Sequence, residues 1–128
     1  MNATSRTFAG MLAIALASAA CLAPRASAPA ASGTGTAIQV SAREYQFQPA
    51  ALTVKAGDVT FEVTNVGATT HEFEVLQGTT TVDEMEGLVP GSTHRLTVTL
   101  AAGEYSYVCK IAGHDSLGMK GTITVTAD

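Results

Sequence analysis

The sequence predicts an all-β protein, a Greek-key β-sandwich built from about seven or eight short strands. Two observations support this fold. Short segments alternate apolar and polar side chains, as in residues 59–63 (VTFEV), which is the pattern of a half-buried strand. Turn-forming residues also recur roughly every 8 to 12 positions, the spacing typical of a sandwich. The chain of 128 residues has room for one such domain.

The first half of the domain contains four predicted strands. Residues 38–42 form the first, and Pro49 marks an edge or a break before a short strand at 52–54. The strand at 59–63 follows a glycine-containing turn. A loop rich in turn residues then leads to a strand at 71–76, whose alternation places His71 inward and the neighbouring glutamates outward.

The second half begins irregularly, with a helical turn predicted at 82–86. A clear alternating strand follows at 93–100. A tight turn is expected to join it in a hairpin to a strand at 105–109, pairing Leu100 with Tyr105. The last strand carries Ile123 and Val125 on one face and threonines on the other.

Residues 1–28 predict an export signal, because Arg6 precedes a short, alanine-rich apolar run. Two kinds of cleavage are compatible with it. Cleavage before Cys21 would yield a lipidated first residue, whereas small residues at 26–28 or 28–30 suit ordinary processing. Both alternatives predict a periplasmic or other extracytoplasmic protein, with a membrane tether only if Cys21 carries lipid.

Residues 29–36 are rich in Ala, Ser, Pro and Gly and predict a flexible linker, so the folded domain is expected at 37–128. From Pro29 onward there are five Lys or Arg and eleven Asp or Glu, a net charge of −6. No basic stripe exists, which argues against a nucleic-acid partner. The acidic surface either serves solubility or steers encounter with a basic redox partner.

Cys109 is the only cysteine after the leader. A lone thiol in an oxidising compartment is exposed to damage unless it is buried and inert or occupied by a metal. Its neighbours favour a metal, because Cys109, His114 and Met119 follow one another at a spacing of five between two strands. One thiolate, one imidazole and one thioether suit a soft or borderline metal ion.

A His2Cys set with a weak axial Met is the ligand group of mononuclear blue-copper sites. The closing loop supplies one imidazole, so the second must come from elsewhere, and His71 is the natural supplier. The alternatives are that His71 is a core histidine and Met119 a core filler. His94 would lie at the metal end if the hairpin forms, but no motif requires it as a ligand, and Met85 suits loop packing better.

Five segments occur in one order along residues 37–126. They are YQFQP at 45–49, LTVKAGDVTF at 52–61, NVG at 65–67, HEF at 71–73 and the Cys-His-Met loop. Together they make the chain resemble the small cupredoxins, the plastocyanin and azurin group of blue-copper proteins. The resemblance implies one mononuclear copper held by His71, Cys109 and His114 in a plane, with Met119 as the axial ligand.

The family resemblance also implies a function: a monomeric, non-enzymatic protein that passes single electrons between redox partner proteins. Electrons would pass through His114, surrounded by an apolar docking patch formed by Ala112, Leu117, Gly67 and Ala68. The alternative is a copper carrier, storage protein or sensor without electron transfer. Multicopper enzymes resemble this chain less, since three histidines cannot supply additional copper clusters.

Two positions depart from the family pattern. Glu72 stands where members often carry an Asn that braces the cysteine loop. Ala112 replaces a common proline and so restores a backbone N–H near the expected ligands. Because hydrogen bonds near the thiolate tune the reduction potential, these changes bear on its value and not on the ligand set.

Overall fold

The structure is a computed structural model, and it describes residues 35–127. This part of the chain folds into nine strands. They are β1 (Ile38–Arg43), β2 (Gln46–Gln48), β3 (Ala51–Lys55), β4 (Gly57–Asn65), β5 (His71–Gln77), β6 (Thr80–Leu88), β7 (Thr93–Leu100), β8 (Gly103–Val108) and β9 (Lys120–Thr126). The predicted export signal and the possible lipid site at Cys21 lie outside the described residues.

Two sheets form the sandwich, which confirms the predicted all-β class. One has four strands in the order β2-β1-β4-β7, and the other has five in the order β3-β9-β8-β5-β6. The pairs β1–β4 and β3–β9 are parallel, and the remaining pairs are antiparallel. Residues 35–127 contain no helix that is long and apolar enough to cross a membrane.

The core lies between the inward faces of the two sheets, and the predicted alternation places these faces correctly. Phe61, Phe73 and Tyr107 pack near its centre, with Phe73 5.3 Å from Phe61 and 5.1 Å from Tyr107 between ring centroids. The inward residues of β7 and β9 are buried as expected. Glu74 was expected at the surface but is buried. Two contacts compensate its carboxylate for the loss of water: Thr81 donates a hydrogen bond to it, and Nζ of Lys110 lies 3.7 Å from Oε2.

The predicted helical turn at 82–86 is wrong. These residues belong to β6, which pairs with β5 along its length and places Met85 beside Phe73 in the core. Gly78, with φ of +62°, makes the tight turn between the two strands. Most side chains of β6 are exposed, so this edge strand has little of the apolar alternation by which strands are predicted.

The predicted hairpin between residues 93–100 and 105–109 is also wrong. β7 and β8 lie in opposite sheets, where Leu100 pairs with Gly57 and Tyr105 pairs with Ile123. The apolar side chains of both strands point into the core. Alternation is the same for strands that pair within a sheet and for strands that pack across a sandwich, so it could not distinguish them.

Candidate metal centre

Three of the residues expected to bind metal come together at one end of the sandwich. Single donor atoms of His71, Cys109 and His114 all lie within 4.8 Å of one another. His71 and Cys109 are fully buried, while His114 is partly exposed. Met119, fully buried, gathers with them, so all four sequence-predicted residues meet here.

Strand ends fix His71 and Cys109. His71 is the first residue of β5, where a register shift between His71 and Phe73 marks a bulge in the pairing with β6. Such irregularities re-aim a side chain at the rim of a sheet. Cys109 directly follows β8. Its N–H donates to the Met119 carbonyl at 3.1 Å, which ties the end of β8 to the start of β9.

Consecutive turns carry the other two residues. The His114 N–H donates to the Ile111 carbonyl at 2.9 Å, and the Met119 N–H donates to the His114 carbonyl at 3.0 Å. Gly113 and Gly118 both have positive φ, of +87° and +108°, which suits these tight turns. The loop is therefore closed by its own backbone hydrogen bonds, and Cys109, His114 and Met119 stay together.

Polar groups surround the Cys109 sulfur although it is buried. The Glu72 backbone N–H points at Sγ from 3.4 Å, and Nδ1 of His114 lies 3.5 Å away. Burial raises the pKa of the thiol, whereas the backbone N–H groups of Glu72 and Ile111 act to lower it. A buried thiolate here needs a positive partner, which a bound metal ion supplies.

The His71 imidazole provides the test of whether a metal fits. It is fully buried, and neither ring nitrogen has a hydrogen-bond partner. Burial lowers the pKa of His71, which favours the neutral ring that binds metal. Buried polar atoms normally find partners, so an unpartnered imidazole beside a thiol and a second imidazole has the character of a metal ligand. Nitrogen, thiolate and thioether donors together suit copper, whereas thioether is not a usual ligand of structural zinc.

Glu44 is a neighbour of the centre that the sequence analysis missed. Its Oε1 lies 3.7 Å from Nε2 of His71. The same oxygen accepts hydrogen bonds from the backbone N–H groups of Ala68 and Thr69, both at 2.7 Å. Backbone N–H donors, those of Glu44 itself, Ala68 and Thr69, lower the pKa of this carboxyl to about 2.

Tyr45, beside Glu44, has φ of +79°, which is uncommon for a residue other than glycine. Its ring meets the His114 imidazole edge-on, with centroids 5.2 Å apart. The turn between β1 and β2 therefore approaches both histidines of the centre. In the sequence, the only indication of this contact was that Tyr45 begins a segment shared with the family. The composition of the turn does not indicate a contact with the imidazole of His71 or His114.

His94 lies outside this cluster. It lies on β7 and pairs with Val63 of β4, and the hairpin that would have placed it at the metal end does not form. Met85 lies on β6 in the core. Of the two departures from the family pattern, Glu72 contributes its backbone N–H to the sulfur, and Ala112 is exposed on the loop.

The fold and the four gathered side chains define a class, the β-sandwich domains with one mononuclear metal centre at one end. Within that class the chain belongs to the family of cupredoxin-like domains, whose model matches residues 10–125. The predicted resemblance to the cupredoxins is thereby confirmed.

The chain is also similar to part of some curated proteins, and its fold is similar to that of a solved structure. The chain is 37% identical over 89 residues to the iron uptake system component EfeO of Yersinia pestis and 32% identical over 92 residues to that of Escherichia coli K12. The match covers 70% of this chain but only 23% and 24% of those proteins. The fold is similar to that of reduced auracyanin from Roseiflexus castenholzii, with a TM-score of 0.66, 23% identity and coverage of 72% of this chain and 98% of auracyanin.

Proposed function

We propose that this chain is an exported blue-copper (type 1) protein that carries single electrons between redox partners. His71, Cys109 and His114 would bind one copper ion in a plane, with Met119 as a weak axial ligand. The copper would supply a one-electron couple between Cu(I) and Cu(II). The chain itself would hold the ligands, exclude water and present one edge of the centre to partners.

A preformed donor set is the observation that carries this proposal. Three donor atoms lie within 4.8 Å of one another, and each is held by a strand end or by a hydrogen-bonded turn. A site that already has its geometry changes little when the metal gains or loses an electron. Small rearrangement favours fast electron transfer, whereas a delivery protein benefits from ligands that open readily.

The exposed side of His114 supports a route for electrons. The His71 imidazole and the Cys109 thiol are fully buried. Among these three side chains, only the His114 imidazole reaches the surface. Leu117, 61% exposed, and Ala112 lie on the same loop. These residues form half of the expected docking patch, and Gly67 and Ala68 lie on the loop that precedes His71.

Copper binding is tested by adding Cu(II) to the purified protein and recording its visible and EPR spectra. We expect an intense thiolate-to-copper band that is absent from Cys109→Ser and strongly altered in His114→Ala. His94→Ala is the matched control, because it removes an imidazole from outside the cluster and should leave the band unchanged. A wild-type protein without the band contradicts the proposal.

Redox cycling separates an electron carrier from a copper carrier. The shuttle predicts complete reduction by a mild donor and reoxidation with the band recovered and no metal lost. A carrier or storage protein would instead yield its Cu(I) readily to a competing chelator. Loss of copper on every reduction would favour that alternative.

The EfeO relatives suggest a partner for this electron transfer. Those proteins are named as iron uptake components, and this chain is similar to about a quarter of each. We therefore propose iron, or a protein of an iron uptake system, as one redox partner. Stopped-flow mixing of the oxidised protein with Fe(II) tests this: bleaching of the copper band would support it, and an unreactive band would oppose it.

A further inference from the structure

The His71 imidazole has two nitrogens, and only one of them can bind the metal ion. Both nitrogens are buried and lack hydrogen-bond partners. Nε2 faces the Glu44 carboxylate, with 3.7 Å between Nε2 and Oε1, and this leaves Nδ1 for the metal. A separation slightly longer than a hydrogen bond closes with a shift of a few tenths of an ångström, and such contacts often tighten when a site is loaded.

Three hydrogen-bond donors of the loop before β5 hold the Glu44 carboxylate in place. Oε1 of Glu44 accepts from the N–H groups of Ala68 and Thr69 at 2.7 Å each and from the Thr69 hydroxyl at 3.0 Å. These three donors orient the carboxylate toward the buried ring at the start of β5. The carboxylate is thus fixed before any metal arrives.

Gly67 leaves the space that this arrangement needs. A Cβ at this position would lie 2.6 and 2.8 Å from the two carboxylate oxygens of Glu44 and 3.0 Å from the Cα of Arg43. Real Cβ atoms do not approach other atoms so closely, so a larger residue at position 67 would push the carboxylate away. The sequence at Gly67 and the position of Glu44 are therefore coupled.

We propose that Glu44 is a positioning residue for the copper centre. Its carboxylate accepts a hydrogen bond from Nε2–H of His71, and this directs Nδ1 of the same ring to the metal. The inference rests on the proposed copper function and deepens it. Carboxylates behind a ligating histidine fix its tautomer and raise its basicity. A negative charge there stabilises Cu(II) more than Cu(I), so Glu44 should lower the reduction potential of the centre.

The alternative is that Glu44 has a purely structural role and only ties the 66–69 loop to the β1–β2 turn. Glu44→Gln separates the two roles, since the amide oxygen can still accept from Ala68 and Thr69 while the charge is lost. A purely structural role predicts that the His71 tautomer and the reduction potential stay unchanged in this variant. A positioning residue predicts changes at the His71 ring and at the metal.

The experiment combines nitrogen-15 NMR of the imidazoles in the copper-free protein with voltammetry of the copper-loaded protein. We expect wild-type His71 to carry its proton on Nε2 and Glu44→Gln to lose that preference. We also expect the ratio of Cu(II) to Cu(I) affinity to fall about tenfold, a potential more positive by about 59 mV. Glu104→Gln is the matched control, because Glu104 is an exposed carboxylate that accepts a hydrogen bond from the Thr124 hydroxyl, and it should change neither quantity.

Gly67→Ala provides a second variant that keeps the charge but displaces the carboxylate, and it should shift the potential in the same direction. A proton on Nδ1 of wild-type His71, or a potential unchanged in both variants, overturns the role of Glu44 while leaving the copper function intact. A wild-type protein that binds no copper overturns the proposed function instead. The wild-type tautomer is measured without copper, so the test does not depend on how well either variant folds.

Discussion

Gly121 shows how much a single missing side chain can decide in this sandwich. It is buried in β9, paired with Tyr107 of β8, and a Cβ at this position would overlap the Tyr107 ring. The ring is fully buried, and its hydroxyl donates to the Pro49 carbonyl, so it has little freedom to move aside. The glycine is thus required by packing and not by backbone conformation.

We therefore expect Gly121→Ala to lower the free energy of unfolding by about 1–3 kcal/mol, the usual cost of overpacking a core. Chemical denaturation monitored by circular dichroism measures this. Gly35→Ala is the matched control, because a Cβ at position 35 meets nothing within 4 Å. An equal stability of Gly121→Ala and wild type would show that the Tyr107 ring has an alternative position.

The four metal-binding candidates could be predicted from sequence, whereas Glu44 could not. Three of the four lie on one loop, so their chemistry is visible in a short segment, and His71 was the imidazole that a strand pattern pointed inward. Glu44 approaches His71 from a turn between two strands of the other sheet. No local pattern encodes an approach of that kind, since it depends on how the two sheets stack.

The loop between β4 and β5 depends on Asn65. This side chain is fully buried and donates to the carbonyls of Thr69 and Leu88, each at 2.7 Å, while it accepts from the Gly67 N–H at 2.8 Å. It thus connects the end of β4, the loop before His71 and the end of β6. The same loop supplies the N–H groups that hold Glu44.

Asn65→Ala removes all three hydrogen bonds and leaves the Leu88 carbonyl without the partner it has in the interior. Each buried polar group left unsatisfied costs about 1–3 kcal/mol, so we expect unfolding to become easier by at least about 2 kcal/mol. Thermal and chemical denaturation check this. Thr97→Ala, which removes one exposed hydroxyl pair with Thr60 at 2.8 Å, should cost far less. Comparable losses in the two variants would rule out a special role for Asn65.

Element existence was predictable wherever one face of a strand is buried. The alternation in β4, β7 and β9 has that origin, and those strands lie where expected. β6 is an exposed edge strand, so its pairing with β5 left no apolar period to detect. The partner of β8 was assigned wrongly because a short connection favours a hairpin, but here the connection crosses from one sheet to the other.

The whole described domain brings two kinds of surface to the metal centre. His114 emerges through the loop that carries Leu117, an exposed apolar residue, while residues 29–128 carry a net charge of −6. Long-range repulsion between two copies would slow their encounter at low ionic strength, and apolar contact at the loop would favour close approach of two copper centres. Electron self-exchange between copies therefore reports on the patch without requiring a known partner.

Leu117→Lys should slow electron self-exchange about tenfold or more, because two copies docked through this loop would place like charges against each other and lose apolar contact. Line broadening in NMR spectra of mixed Cu(I) and Cu(II) protein gives the rate, and the absorption spectrum should stay that of wild type. Val82→Lys adds the same charge at another exposed apolar residue, on the part of β6 away from His71, so it corrects for the change in net charge. Equal slowing in both variants would mean that charge alone matters and that the loop around His114 is not the docking surface.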